Sequence, residues 1–307
     1  MGILGIIIQT EFGLPLYMEM FDSKLEKFQQ MDSTLTSGFL TAINMFAKQY
    51  DVDLGYIKIV KENDIYGTNL IATKIGEYLI LCFVEPYLFH EVVKEKIGWI
   101  YEHILQNYEP QIRAGKIPHL TDEEKVYIAD TLQDLYIKAL VASNKEAIDQ
   151  ALGKFFLSHV GIYGISINSF DNSLLYFSGI SEDSFKLYFN NMGRRSSIIN
   201  DFEIIDSFIS FPEYQPARVY VTNPGIKFQI QNIMTNLPEK TVSLYYYIIG
   251  DPNLDIKQII SDLTALLNPF FPLTKAEPAL KAEKEEEKKV EKEEVKKIQK
   301  EEEKVKS

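Results

Sequence analysis

Apolar and polar positions alternate in one phrase that the chain uses twice. Residues 2–17, GILGIIIQTEFGLPLY, are a short apolar run, a polar break with Gly13 and Pro15, and a second apolar run ending at Tyr17. That is two strands joined by a tight turn. Residues 161–176, GIYGISINSFDNSLLY, restate it. With one constant offset, Gly2, Ile3, Gly5, Ile6, Ile8, Leu16 and Tyr17 fall on Gly161, Ile162, Gly164, Ile165, Ile167, Leu175 and Tyr176. Each hairpin is followed by a helical stretch, three strand-like runs and a terminal helix. The pattern predicts a tandem of two copies of one small domain, in the α+β class because short connections imply antiparallel neighbours.

In the first copy a helix is expected over 33–50. Leu35, Phe39, Ala42, Ile43, Phe46 and Tyr50 share one face, read as the side turned to the sheet. The opposite face would carry Thr34, Gly38, Thr41 and Met45, and Lys48 is the one charge in the stretch. Strands are expected at 54–60, 65–73 and 78–84, with turns at Asn63-Asp64 and Gly76. A helix from Pro86 to about residue 108 has an inner stripe of Leu88, Val92, Val93, Ile97, Ile100, Ile104 and Leu105. A loop over 109–120 follows. Thr121 and Glu124 have capping-box spacing and open a helix to about 141; Ser143 and Glu146 repeat the signal for a helix to about 158.

In the second copy Ser181 caps a helix through Phe185, Tyr188, Phe189 and Met192, stopped by Gly193. An insertion over 193–215 reads as partly helical around 202–208. Strands are expected at 217–222, 226–233 and 242–249. Pro252 and Leu254 restate Pro86 and Leu88 and lead into a closing helix through Ile259, Leu263 and Leu266. The organisation is therefore a first domain at 1–110, a helical connector at 111–157, a second domain at 158–272 and a Lys/Glu-rich tail at 273–307. The tail's apolar residues keep no heptad, so a solvated, partly helical, mobile segment is expected.

Charge narrows the class of partner. The formal net charge is -12. From Lys275 to Ser307 eleven lysines and eleven glutamates cancel, so the globular body carries all of it. Its only arginines are Arg113, Arg194, Arg195 and Arg218. An acidic, arginine-poor body is a poor match to nucleic acid or an anionic membrane. The single cysteine, Cys82, lies in an apolar strand, which suits a reducing interior. The first apolar run is too short for a signal peptide, and no apolar stretch reaches spanning length. A cytoplasmic protein is expected.

Chemistry-bearing motifs are sparse. There is no GxxxxGK[ST] loop and no GxSxG turn. Gly2-x-x-Gly5 and Gly161-x-x-Gly164 lie at strand starts rather than at strand-to-helix turns. His90, His103, His119 and His159 show no metal-ligand spacing, and each reads as an ordinary surface histidine. Arg194-Arg195-Ser196-Ser197 reads as a polar loop before it reads as an anion or phosphorylation site. No catalytic residue, cofactor or metal is expected. The uncharged outer face of the 33–50 helix departs from the usual charged surface helix. Thr34, Gly38, Thr41 and Met45 are therefore the expected partner-binding residues.

The order strand-strand-helix-strand-strand-strand-helix resembles the longin-like and roadblock-like superfamily. GIIIQTEFGLPLY, SGFLTAINMFA and LILCFVEPYLFHEVV carry the resemblance over most of 1–110, and the repeat extends it to 160–270. The Lys- and Ile-rich composition is similar to that of longin-type proteins of archaea related to eukaryotes. The resemblance implies two tandem longin-like domains, each a five-stranded antiparallel sheet with flanking helices. It implies no catalysis, but a platform in small-GTPase regulation or vesicle-trafficking-type assemblies. The partners would be a small Ras-like GTPase, another longin or roadblock protein, or both, with a homo- or hetero-oligomer and at most indirect membrane association. Two other readings stand beside it: a PAS-like sensor with an apolar cavity between sheet and helices, and an enzyme with a site assembled from scattered residues.

Overall fold

The computed structural model describes residues 2–25, 33–50, 55–60, 67–191, 200–210, 216–230 and 240–271. The first hairpin is β1 (Ile3–Thr10) and β2 (Pro15–Met20), followed by α1 (Ser33–Lys48), β3 (Tyr56–Ile59), β4 (Thr68–Ile75), β5 (Tyr78–Val84) and α2 (His90–His103). The strands pair antiparallel in the order β2-β1-β5-β4-β3. The central strands β1 and β5 are buried on both faces, which is why they read as unbroken apolar runs. Edge strand β3 alternates between exposed and half-buried positions.

Four helices connect the halves: α3 (Glu109–Arg113), α4 (Asp122–Gln133), α5 (Leu135–Ser143) and α6 (Lys145–Ser158). The Thr121–Glu124 capping box is formed, with each residue's side chain on the other's backbone N–H. Three expectations need correction. The loop over 109–120 begins as α3, where Pro110 falls in the first turn and loses no hydrogen bond. The helix over 121–141 is broken into α4 and α5 by Asp134, which takes a left-handed conformation (φ 51°). The box at Ser143 does not form: Asn144 is the N-cap of α6, and Ser143 Oγ donates to the Leu140 carbonyl.

The second half runs β6 (Ile162–Ser169), β7 (Leu174–Ser178), α7 (Glu182–Asn191), β8 (Ile204–Ile209), β9 (Ala217–Thr222), β10 (Lys227–Ile230), β11 (Lys240–Gly250) and α8 (Ile256–Leu267). Its sheet order is β7-β6-β11-β9-β8, the order of the first sheet once β10, which pairs only with the start of β11, is set aside. The third strand of this sheet thus comes from the insertion. The partly helical reading of 202–208 does not hold, since the segment is strand from Ile204 onward. In β8 the same residues alternate, Ile205 and Ile209 buried, Ile204 and Phe208 outward. Ser181 caps α7 as expected, accepting from the Ser184 N–H. The tail at 273–307, Asn63-Asp64, Gly193 and Arg194-Arg195-Ser196-Ser197 lie outside the described residues.

The repeat holds to fine detail at the hairpins. Each has a register shift at one place, between Ile8 and Gln9 and between Ile167 and Asn168. Each turn has one residue at positive φ, Gly13 at 85° and Asn172 at 75°. The N–H of each donates three residues back, Gly13 to Thr10 O at 2.9 Å and Asn172 to Ser169 O at 2.8 Å.

One buried apolar cluster runs through both halves. Ile6 and Ile80 of the first sheet, Ile97 of α2, Leu132 of α4 and Leu152 of α6 belong to it, as do Ile167, Ile248 and Leu263 of the second half. The helix α4 packs on α2, α5 on β7 and α6 on α8, so the connector fills the space between the repeats. The other face of the first sheet has a separate cluster of Leu4, Ile7, Leu70, Leu79, Leu81 and Phe83, to which α1 contributes Leu40. Among the described residues no helix is long and apolar enough to cross a membrane.

Candidate functional site

The seating of α1 is turned about the helix axis from the expected orientation. Its inward residues are Thr36, Ser37, Leu40, Thr41 and Asn44, all buried. Gln9 Nε2 at the end of β1 donates to Thr41 Oγ1 at 2.9 Å, tying the helix to the sheet. Gln9 Oε1 and Ser37 Oγ are buried there with no hydrogen-bond partner among the described residues. Phe39, Met45, Phe46 and Tyr50 point outward at 65%, 61%, 61% and 67% exposure. The neighbouring β1–β2 turn adds Phe12 at 81% and Leu14 at 47%. At the last turn of α1, Lys48 pairs with Glu11, as does Lys74 of β4, and these bonds hold the Glu11 carboxyl below its usual pKa.

Of the residues expected on the outer face, Thr34, Gly38 and Met45 are exposed. Thr41 is not: it is 7% exposed and holds the Gln9 amide. Phe39 and Phe46, expected in the core, are on the open side. The expected stripe omitted Leu40, which is buried on the sheet, and period alone does not say which face of a helix meets its own sheet.

A second constellation lies between the halves. Lys96 of α2 is fully buried, and its Nζ sits 2.8 Å from Asp134 Oδ1 and 2.6 Å from Asp171 Oδ2. Asp134 is the residue between α4 and α5, and Asp171 is in the β6–β7 turn, so three elements meet at one ammonium. Ser169 Oγ donates to Asp134 Oδ2 at 2.7 Å, and the Ser173 N–H to Asp171 Oδ1 at 2.8 Å. Phe170 lies under Nζ, with Trp99 stacked on its ring. Asn172 completes the turn. Its Nδ2 donates to the Tyr87 carbonyl at 2.9 Å, and its Oδ1 accepts from Tyr247 OH at 2.6 Å. The Phe89 N–H donates to the Asp171 carbonyl, so the β5–α2 connection of one half and the β6–β7 turn of the other are bonded directly.

Spacing alone could have flagged Lys96. It lies three and four residues from Val93, Val92, Trp99 and Ile100, on the inner stripe of α2 where every neighbour is apolar. Nothing in sequence marks Asp134 or Asp171 as its counterions.

Two carboxylates share one lysine, so they cannot be equally compensated. Burial pushes the Asp134 carboxyl up to about 6 against the pull of Lys96. Burial opposes the charge of Asp171 too, but Lys96 and Ser173 outweigh it and hold that carboxyl below its ordinary value. Lys96 also faces burial, overcome by both aspartates, and is raised. Lys138 of α5, lowered by burial, and Asp130 of α4, raised by burial, complete the charged surroundings.

These directions have opposite pH consequences. The folded pKa of Asp134, about 6, is above the unfolded 3.8. The native state therefore binds the extra proton, and this group's contribution to stability rises as pH falls from 7 to 5. Asp171 contributes stability above its unfolded pKa that is lost only as pH falls below it. Asp134→Asn is thus expected to raise stability at pH 7 by about 1–3 kcal/mol. It should also flatten the pH 7-to-5 rise, read from urea midpoints of the two proteins at both pH values. A variant less stable at pH 7, or with the wild-type slope, contradicts this account.

Ser158, His159 and Asp262 also come together: Ser158 Oγ is 3.0 Å from His159 Nδ1, and His159 Nε2 is 3.2 Å from Asp262 Oδ2. The serine is spent on the helix end, within reach of the Lys154 and Phe155 carbonyls, and the imidazole stacks on Phe155. This is a side-chain finish to α6 docked on α8. Among the described residues no group of His, Cys, Asp and Glu side chains is placed to hold a metal ion. Between Asp134 and Asp171 the Lys96 ammonium occupies the place a cation would take.

The class of protein is set by the fold: an α+β chain of two antiparallel sheets with one strand order used twice, joined by helices. No family model matches the chain, and no curated protein matches it.

Proposed function

We propose that the chain is a noncatalytic protein-interaction platform of longin type. Its setting would be small-GTPase regulation or vesicle-trafficking-type assemblies in the cytoplasm, and its partners a small Ras-like GTPase, another longin or roadblock protein, or both. The observation that supports this is the open face of α1, where Thr34, Gly38 and Met45 lie with Phe39, Phe46 and Tyr50. Large apolar side chains gathered on one exposed helix mark an interaction site more often than scattered surface residues do.

The test is binding of the purified full chain to a panel of Ras-like GTPases, each loaded with GDP or a non-hydrolysable GTP analogue, and to separate longin and roadblock domains. At least one is expected to bind, and Phe39→Glu is expected to weaken it about tenfold or more, a change of about 1.4 kcal/mol. A panel with no binder, or binding that Phe39→Glu leaves unchanged, would falsify the reading.

A further inference from the structure

We propose that α1 has two seatings on the first sheet: the one in this structure, and one turned by about a third of a turn around the helix axis, in which Phe39 and Phe46 lie on the sheet and the open face is withdrawn. The proposal rests on the reading of that face as a partner surface and supplies its regulation.

The first argument is that α1 carries two faces that compete for one sheet. At about 100° per residue, Phe39, Ile43, Phe46 and Tyr50 form one apolar stripe. Thr36, Ser37, Leu40, Thr41 and Asn44 form another face, centred about 120° away. The structure seats the second, which is polar but for Leu40. The sheet beneath it is apolar, with Leu4, Ile7, Leu70, Leu79, Leu81 and Phe83, and Leu40 is the one residue that α1 gives to this cluster among the described residues. A helix on a sheet ordinarily turns its apolar stripe inward. Here the stripe with the larger side chains is the one left out.

The second argument is what each seating leaves unmet. In this structure Gln9 Oε1 and Ser37 Oγ are buried without a hydrogen-bond partner among the described residues. Each such group carries a desolvation penalty. The turned seating returns the Ser37 hydroxyl to water and lays two phenyl rings over the apolar strands. It gives up the bond from Gln9 to Thr41 and carries Lys48 away from Glu11. Lys74 is on β4, which does not turn, so Glu11 keeps a cation in both seatings. Each seating thus wins one term that the other loses, and both are populated.

A partner that takes the Phe39–Phe46 stripe binds the present seating alone. Its apparent affinity is lowered by the fraction of chains that are turned, and its binding draws those chains into the open form.

The test traps each seating with a disulfide in the full chain. Gln9 lies at the level of Thr41, with Nε2 2.9 Å from Thr41 Oγ1. Gln9→Cys with Thr41→Cys reports the present seating, and Gln9→Cys with Phe39→Cys the turned one. Phe46 stays in place in both. Gln9→Cys with Gly38→Cys is the control. A side chain added at Gly38 meets nothing within 4 Å, and the turn leaves it off the sheet, so this pair links only when α1 comes away altogether. Cys82, the one native cysteine, is buried and stays out of the exchange. The proteins are oxidised mildly at low concentration, and the intramolecular bond is followed by peptide mass spectrometry. The Thr41 and Phe39 pairs are both expected to link, the Phe39 pair about tenfold or more faster than the Gly38 pair. Ser37→Ala relieves the present seating of its buried hydroxyl and should slow the Phe39 link about fivefold or more. A Phe39 pair no faster than the Gly38 pair, a Thr41 pair that does not link, or a Phe39 link that Ser37→Ala leaves unchanged would each overturn the proposal. None of these measurements involves a partner, so they and the GTPase panel fail separately.

Discussion

Lys96→Met is expected to lower the unfolding free energy by about 3–5 kcal/mol at pH 7, the range for breaking a buried ion pair by removing one member. Methionine keeps the length of the side chain and most of its packing over Phe170, so the loss isolates the charge. Two carboxylates, Asp134 and Asp171, then face each other without the ammonium that bonds both. The loss is a penalty on what remains, not the net worth of the cluster. The neutral set Lys96→Met with Asp134→Asn and Asp171→Asn should accordingly recover more than half of it. Trp99, the one tryptophan, stacks on Phe170 at this junction, so urea unfolding followed by its fluorescence reports on it directly. A single variant within about 1 kcal/mol of wild type, or a triple variant no better than the single, would show that the cluster is not the constraint described here.

Asn172→Val is expected to cost about 4 kcal/mol, from two separable causes. A β-branched residue at φ 75° is strained by about 1–3 kcal/mol. Loss of the amide also removes its hydrogen bonds to the Tyr87 carbonyl and the Tyr247 hydroxyl, about 0.5–1.5 kcal/mol for each. Asn172→Gly removes the bonds and keeps the backbone, so it should cost about half as much as valine. Equal losses for glycine and valine would mean that the backbone at this turn is not strained by a side chain. Stability of both is read from the same urea titration.

The repeat explains why so much of the fold was readable. Turn geometry and strand pattern are local, and a second copy of the hairpin at a constant offset supports the reading of the first: Gly13 and Asn172 hold the same place in the same turn. What failed was what lies beyond local pattern. The Phe39–Phe46 stripe was recognised but turned the wrong way, because periodicity gives the existence of an apolar face and not its object. The segment at 204–209 carries apolar residues at spacings that suit a helix and a strand alike, and its place beside β9 decided between them. The Lys96 cluster joins residues up to 75 positions apart, and no window of sequence contains it.

The two copies differ in what covers their first helix. In α7 the large side chains Phe185, Tyr188 and Phe189 are all buried, Phe189 against Tyr87 of the first half, and Lys186 pairs with Glu85 across the junction. In α1 the corresponding bulk is open. A duplication that left both helices open would have a valency of two, and copies could string into filaments by the same contact. Here one sibling has capped the other within the chain. The valency left at this position is one, so each chain offers a partner a single such helix face.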